Sequence, residues 1–178
     1  QSIPKGINQS IDALVNLINS MALPAMIIDS DFNIRYMNAA GTEIGGRQLS
    51  QLIGTKCYDY FKTGDCHTER CACSKAMRLN SKANSETTSN VGNKKLEISY
   101  AGLPIKDLEG KTVGAFEVVT DQTAIKNEMR KSQKISEYQA SEANRLTENL
   151  NKFAVGDLKL NLVAEKADEE TLEAKIVF

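Results

Sequence analysis

Four cysteines and the single histidine of the chain lie close together in the sequence. Cys57, Cys66, Cys71 and Cys73 fall within a stretch of 17 residues that also contains His67. Such side chains can hold zinc tetrahedrally, and four thiolates can hold an iron–sulfur cluster. A reversible disulfide would need no metal, and free cysteines also pack in cores as small hydrophobic residues. Because the spacing C-x8-C-x4-C-x-C is not that of a zinc ribbon, a metal site, a redox pair and inert packing all stay open.

Within this cysteine segment, Cys66 and Cys71 are the best candidates for a responsive pair. A reactive thiol needs partial exposure and a positive neighbour, and Arg70 directly precedes Cys71. A short helix beginning near Thr68 would point its N-terminal amides toward Cys66 and favour the thiolate. We expect Cys57 to lie deeper in the fold, and we expect Cys73 to be the most dispensable of the four for a redox or metal response.

Enzymatic chemistry is not indicated by these residues. His67 and Cys66 are neighbours whose side chains point apart, whereas a Cys–His dyad is assembled from distant parts of a fold. No phosphate-binding loop, H-E-x-x-H motif or dinucleotide fingerprint is present in the sequence. Nothing indicates flavin, and haem would depend on His67, whose polar neighbours suggest a surface loop. We therefore predict a protein that is not an enzyme and whose candidate cofactor is a metal or cluster on the cysteines.

Charge and hydropathy exclude several classes of partner. The 178 residues carry 22 Lys+Arg and 23 Asp+Glu, a formal net charge of −1. This balance gives no electrostatic footprint for nucleic acid, and no basic run predicts binding to a membrane surface. The longest apolar stretch, 21–28, is interrupted by Pro24 and is too short to span a bilayer. Because the chain begins with Gln1 and no signal peptide is visible in it, we expect a cytoplasmic fragment of a longer protein.

The cysteine segment falls inside a stretch whose pattern predicts an α+β domain. Apolar residues at helical spacing predict a first helix, which Pro24 ends. A hairpin follows, then several short helices, then three strands. Residues 112–120 are apolar on both faces, which is typical of a central strand. The predicted elements, in chain order, cover residues 7–21, 25–29, 34–37, 38–80, 85–91, 95–100 and 112–120.

Residues 122–155 contain neither Gly nor Pro and predict one long helix. Its ends are apolar and its middle is polar, which predicts pairing with a second helix at both ends. With the first helix, this pattern predicts a parallel homodimer, and a single helix lying on the domain is the alternative. The predicted contact positions, called here the heptad seam, are Ile125, Met129, Ser132, Ser136, Gln139, Ala143, Leu146, Leu150 and Phe153.

Together these elements resemble a PAS domain over residues 22–123. Asn38 follows the second strand, where PAS domains often carry Asn, and residues 110–123 are similar to the last PAS strand and its Asp-x-Thr exit. The resemblance implies a five-stranded antiparallel sheet with small helices on one face, flanked by the N-terminal helix and the long coiled-coil helix. It also implies a sensor that relays its signal through Asp121 and Thr123, with Asp121 capping the long helix.

A PAS sheet and its small helices often enclose a ligand. The alternative is a core that the same side chains fill, which is the more frequent outcome for apolar residues at strand spacing. The side chains predicted to line such a pocket are Ile28, Tyr36, Cys57, Tyr58, Phe61, Met77, Ile98, Tyr100 and Phe116.

Residues 150–158, followed by Asp168 and Glu169, are similar to the first helix and connector of a HAMP domain. With the PAS-like part, they resemble the cytoplasmic part of a methyl-accepting chemotaxis protein, which implies downstream signalling domains in the same chain. A structural dimerisation module without ligand, and a cysteine-based metal or redox site without a signalling role, are the alternatives. The resemblance divides the chain into a dimerising helix, a PAS sensor, a coiled coil and a truncated HAMP-like segment, over residues 1–21, 22–123, 124–155 and 156–178.

Overall fold

The computed structural model describes residues 5–163, 168 and 171, and its chain divides into two compact units after Thr123. A long helix, α6 (Thr123–Ala154), begins at the end of the first unit and forms most of the second. Within the described residues, no helix is both long and apolar enough to cross a membrane. The other elements are α1 (Lys5–Asn19), β1 (Ala25–Asp29), β2 (Ile34–Met37), α2 (Ala39–Gly45), α3 (Leu49–Leu52), α4 (Cys57–Phe61), α5 (Ala72–Leu79), β3 (Ala83–Val91), β4 (Lys94–Lys106) and β5 (Thr112–Asp121).

The five strands form one antiparallel sheet in the order β2-β1-β5-β4-β3. The predicted fold class is confirmed, and β5 is the central strand, as its apolar pattern indicates. Short helices and the sheet share one hydrophobic core, which includes Leu52 from α3, Tyr60 from α4 and Ala72 from α5. The small helices therefore cover one face of the sheet.

Register determines which strand residues face these helices. Glu117 of β5 pairs with Met26 on one side and with Gly102 on the other, so these three residues share the face that the helices cover. Phe116 pairs with Ile27 and lies on the opposite face, because successive strand residues point to opposite sides.

Asn38 joins three parts of the first unit through its buried side chain. Its Oδ1 accepts hydrogen bonds from the backbone N–H groups of Ala25 and Gly41, each at 2.9 Å. Its Nδ2 donates to the carbonyl oxygens of Ile18 and Leu23 at 3.1 and 2.9 Å. Asn38 thus caps α2 while holding the end of α1 against the start of β1.

Strand β4 is seven residues longer than the predicted segment 95–100, since it covers Lys94–Lys106. Gly102 and Pro104 suggest an end to the strand in sequence, yet both pair with β5. A Cβ on Gly102 would come within 2.8 Å of the Ala72 carbonyl oxygen. The glycine is therefore where the backbone of α5 packs directly on the sheet.

The second unit contains α6 and an extended connector, residues 157–163, that is bonded to it. Asn149 and Asn161 form two hydrogen bonds with each other. The side-chain amide of Asn149 donates to the Asn161 carbonyl oxygen at 2.6 Å, and the Asn161 backbone N–H donates to Asn149 Oδ1 at 2.8 Å. Arg145 adds a hydrogen bond to the Asn161 carbonyl and an ion pair with buried Glu142. Positive φ at Gly156, +79°, ends the helix as predicted.

The heptad seam of α6 is largely exposed, whereas Tyr138, Glu142 and Asn149 are buried. At the acidic segment, Asp168 accepts a hydrogen bond from the Thr171 backbone N–H at 2.9 Å, as an N-cap does. Most of the predicted HAMP-like segment 156–178 beyond residue 163 lies outside the described residues.

Candidate functional site

A cavity of about 410 Å³ lies beside α4, α5 and the loop that joins them. Its volume falls in the range of small-molecule sites, on the order of 300–1,000 Å³. Three thiols and two aromatic rings contribute to its wall, and exposed charged side chains stand at its rim. The lining residues are Phe32, Cys57, Tyr58, Cys66, His67, Thr68, Glu69, Cys71, Ser74 and Arg78.

A buried carboxylate holds the loop of this thiol cavity against the sheet. Asp65 is 1% exposed and accepts hydrogen bonds from Ser85 of β3 at 2.6 Å and from Tyr100 of β4 at 3.1 Å. Arg70, from the same loop, forms an ion pair with Asp65 at 3.2 Å. Burial raises the pKa of the Tyr100 hydroxyl, so that hydroxyl remains a donor. The loop is therefore coupled directly to two strands.

The three thiols of the cavity differ in their surroundings. Cys57 is buried on α4, and burial raises the pKa of its thiol. Cys71 is half-buried at the N-terminal end of α5, where burial raises the thiol pKa although the backbone N–H groups of Ser74 and Cys73 favour the thiolate. Cys66 is also half-buried, and its Sγ lies 3.1 Å from the Thr63 hydroxyl.

The short helix predicted to begin near Thr68 is absent, and that prediction is wrong. Helix α5 begins at Ala72, so its free amides point to Cys71 and not to Cys66. The chain from Thr63 to Arg70 instead forms turns around Asp65, because Thr68 donates its hydroxyl to the Asp65 carbonyl oxygen. His67 has a φ of +60° there and packs on Tyr58 with ring centroids 4.2 Å apart.

Cys73 is separate from the cavity wall. It is fully buried on α5, and its thiol donates to a carboxylate oxygen of Glu117 at 2.7 Å. Burial raises the pKa of Glu117 to about 7, and the Cys73 hydrogen bond acts in the opposite direction. Burial likewise raises the pKa of the Cys73 thiol, with the nearby Glu117 charge adding to the shift. The Cys73–Glu117 pair therefore places an ionisable carboxyl group on the central strand β5.

The four cysteines are free thiols. Among residues 5–163, 168 and 171, no three His, Cys, Asp or Glu side chains are arranged to hold a metal ion. Two of the five candidate ligands are directed elsewhere, because the Cys73 thiol donates to Glu117 and the His67 side chain is exposed at the rim. The geometry therefore does not fit a four-cysteine zinc or iron–sulfur centre.

The residues predicted to line a pocket lie in three places: the cavity wall, the core and the opposite face of the sheet. Only Tyr58 and Cys57 of that set line the cavity. Ile28, Phe61, Ile98 and Tyr100 are buried in the core and Met77 packs against it, while Tyr36 and Phe116 lie on the other sheet face. The sequence did carry one signal for the residues that were missed. Cys71, Ser74 and Arg78 follow one another at steps of three and four, which place them on one face of a helix.

Asp121 and Thr123 lie where β5 ends and α6 begins. The Asp121 carboxylate accepts hydrogen bonds from the backbone N–H of Thr123 at 2.8 Å and from its hydroxyl at 2.5 Å. The Thr123 hydroxyl oxygen accepts from the Glu97 backbone N–H at 3.0 Å. The start of α6 is therefore fastened to both β5 and β4.

Residues 18–127 of this chain match the PAS fold family. The chain belongs to the PAS fold family. PAS domains are signal-sensing modules in sensor kinases and light-oxygen-voltage receptors. No curated protein matches the sequence significantly.

Solved PAS structures share the fold at low sequence identity. The PAS domain of a Colwellia psychrerythraea protein is 17% identical, with a TM-score of 0.58 over 65% of this chain and 98% of that one. A PAS domain from a two-component sensor histidine kinase is 13% identical, with a TM-score of 0.55 over the same shares. An RNA-binding light-oxygen-voltage receptor is 18% identical, with a TM-score of 0.59 over 75% of this chain and 39% of that one.

Proposed function

We propose that this PAS domain senses a small molecule or a redox change in the thiol cavity and relays it to α6. The observation that carries the proposal is the cavity itself, whose wall contains three free thiols and whose loop is bonded to the sheet through Asp65. Burial raises the thiol pKa of Cys57 and Cys71, which disfavours a catalytic nucleophile at either of these two positions.

The proposed relay has two connections from the cavity to the sheet. One runs from Asp65, in the loop of the cavity, to Tyr100 on β4. The other runs through α5, which carries Ser74 at the cavity wall and Cys73, whose thiol is bonded to Glu117 on β5. Strands β4 and β5 are also the two strands that hold Thr123, so a shift of either one is transmitted to the first turn of α6. A conformational relay requires an element with two arrangements, and we assign that role to α6 with its polar centre.

We further propose that the chain acts as a parallel homodimer through α1 and the heptad seam. In α1, Ile11, Leu14 and Leu17 are 48 to 63% exposed, and in α6, Leu150 and Phe153 are 68 and 63% exposed. Apolar residues at heptad spacing favour a second copy of the same helix as the partner. From the sequence resemblance, we propose that α6 passes the signal to a HAMP-like segment and then to the signalling domains of a cytoplasmic chemoreceptor.

The sensing proposal is tested by two-dimensional NMR of the full chain with a panel of single-ring aromatic compounds carrying carboxylate or carbonyl groups. We expect at least one compound to shift the amides of Cys57 and Cys71, and then those of Asp121 and Thr123. Ser74→Trp, which places a large side chain at the cavity wall, should abolish the shifts, whereas Leu79→Trp on the same helix should retain them. Binding that is insensitive to Ser74→Trp, or the absence of any binder, contradicts the proposal.

The dimer is tested by sedimentation equilibrium. Leu146→Asp places an unpaired charge in the heptad seam and should weaken the dimer, because burying such a charge is unfavourable. Asn144→Asp introduces the same charge outside the seam and should leave the dimer intact. A monomer mass for the unmodified chain at tens of micromolar, or equal effects of the two variants, contradicts the dimer.

A further inference from the structure

The cavity wall contains three thiols, which a pocket that only encloses an apolar ligand does not require. Aliphatic side chains would supply the same packing, because a free cysteine packs as a small hydrophobic residue. What thiols add is covalent chemistry with soft electrophiles. Binding without bond formation therefore does not explain why the cavity wall contains three thiols.

The surroundings of the three thiols distinguish one of them. Cys57 is buried, and the Cys71 thiol lies at the first amides of α5. Burial raises the pKa of both thiols. Cys66 is half-exposed at the wall, and the Thr63 hydroxyl lies 3.1 Å from its Sγ. A hydroxyl at that distance can donate a hydrogen bond to the sulfur when the thiolate forms.

The rest of the wall indicates the shape of the reacting molecule. Phe32 and Tyr58 present aromatic rings to the cavity, and His67 packs on Tyr58 at a centroid distance of 4.2 Å. Aromatic side chains pack well against another ring in offset or tilted arrangements. An electrophile that carries a ring would therefore be held beside Cys66 before it reacts.

We propose that Cys66 forms a covalent adduct with ring-bearing α,β-unsaturated carbonyl compounds bound in the thiol cavity. The Cys66 Sγ bonds to the β-carbon of the ligand, the carbon–carbon π bond breaks, and the thiol proton is transferred to the α-carbon. Nothing is oxidised or reduced, and no further reactant is needed. This inference rests on the proposed sensory use of the same cavity and names the class of its ligand.

The test measures adduct formation by mass spectrometry with 4-phenyl-3-buten-2-one as the electrophile. Prior binding in the cavity predicts that the rate saturates with electrophile concentration and that the adduct maps to Cys66. The saturated ketone 4-phenyl-2-butanone binds without reacting and should slow the reaction about tenfold when it fills the site. Methyl vinyl ketone has no ring and should show a rate that rises linearly with concentration.

Variants test the assigned positions. Cys66→Ser should abolish the adduct, while Thr63→Val should slow it about fivefold and Thr63→Ser should restore it, because serine keeps the hydroxyl. Circular dichroism verifies that each variant is folded. A linear rate with no competition by 4-phenyl-2-butanone, or an adduct spread over Cys57 and Cys71, overturns the inference.

The same samples separate this inference from the proposed function. If 4-phenyl-2-butanone shifts the amides of Asp121 and Thr123 but Cys66 does not react, the relay stands and the electrophile class is wrong. If Cys66 reacts in a saturable manner and those amides do not respond, the adduct site stands and the relay is wrong.

Discussion

The stability of the PAS unit should fall as pH rises through neutrality, because Glu117 is buried as an acid. Burial raises the pKa of its carboxyl from an ordinary 4.5 to about 7. The folded state thus holds the proton more tightly than the unfolded state, so unfolding releases a proton between those values. The stabilisation is complete below the unfolded pKa and is lost as pH rises through the folded pKa.

The size of the effect follows from the two pKa values. Each tenfold change in proton affinity corresponds to about 1.4 kcal/mol, so this group contributes about 3 kcal/mol in full. Between about pH 5 and about pH 8.5, the free energy of unfolding should fall by about 2–3 kcal/mol on account of Glu117. Glu117→Gln cannot ionise and should lose this dependence. It should therefore be more stable than the unmodified protein at the higher pH.

Urea unfolding followed by tyrosine fluorescence across this pH range measures the effect. Glu109→Gln, in the exposed turn before β5, is the matched control and should keep the pH profile of the unmodified protein. Cys73→Ala removes the hydrogen bond that lowers the Glu117 pKa, so it should move the loss of stability to higher pH. Parallel pH profiles for Glu117→Gln and the unmodified protein would refute the reasoning.

Three further substitutions test the parts of the fold that position the site. Asn38→Ala should lower the free energy of unfolding by about 2–4 kcal/mol in urea titrations, because it removes a helix cap and leaves buried backbone groups unpaired. Gly102→Ala should lower it by about 1–3 kcal/mol, since the new Cβ would meet the Ala72 carbonyl oxygen, and thermal unfolding measures that loss. Asp121→Ala should lower it by about 1 kcal/mol and blunt signalling output of the full-length protein, and normal output from a folded variant would contradict the relay.

The fold could be predicted from the sequence because its strands and helices have clear local patterns. In residues 95–100, apolar Leu96, Ile98 and Tyr100 alternate with polar residues, and this alternation indicates the face on which Ile98 and Tyr100 are buried. The same reasoning failed at Phe116, since β5 is apolar on both faces and periodicity cannot say which face the helices cover. Only the register with β1 and β4 decides that question.

The candidate site was predicted less well because long-range contacts between polar groups build it. Nothing local marks Asp65 as buried, and its burial depends on Ser85 and Tyr100, 20 and 35 residues away. Glu117 gave a clearer signal, since it lies between Ala115 and Val119 in an apolar strand. Because β5 is the central strand of the sheet, the side chain of Glu117 is buried.

Hydrogen–deuterium exchange on the full chain tests most directly whether the cavity controls the start of α6. Ser74→Trp fills the cavity without requiring a known ligand, and Leu79→Trp places the same side chain on the same helix outside the cavity. The relay predicts that Ser74→Trp changes exchange at residues 121–130 as well as at the cavity, while Leu79→Trp leaves residues 121–130 unchanged. A change confined to residues 57–79, or an equal change at residues 121–130 in both variants, would contradict the relay.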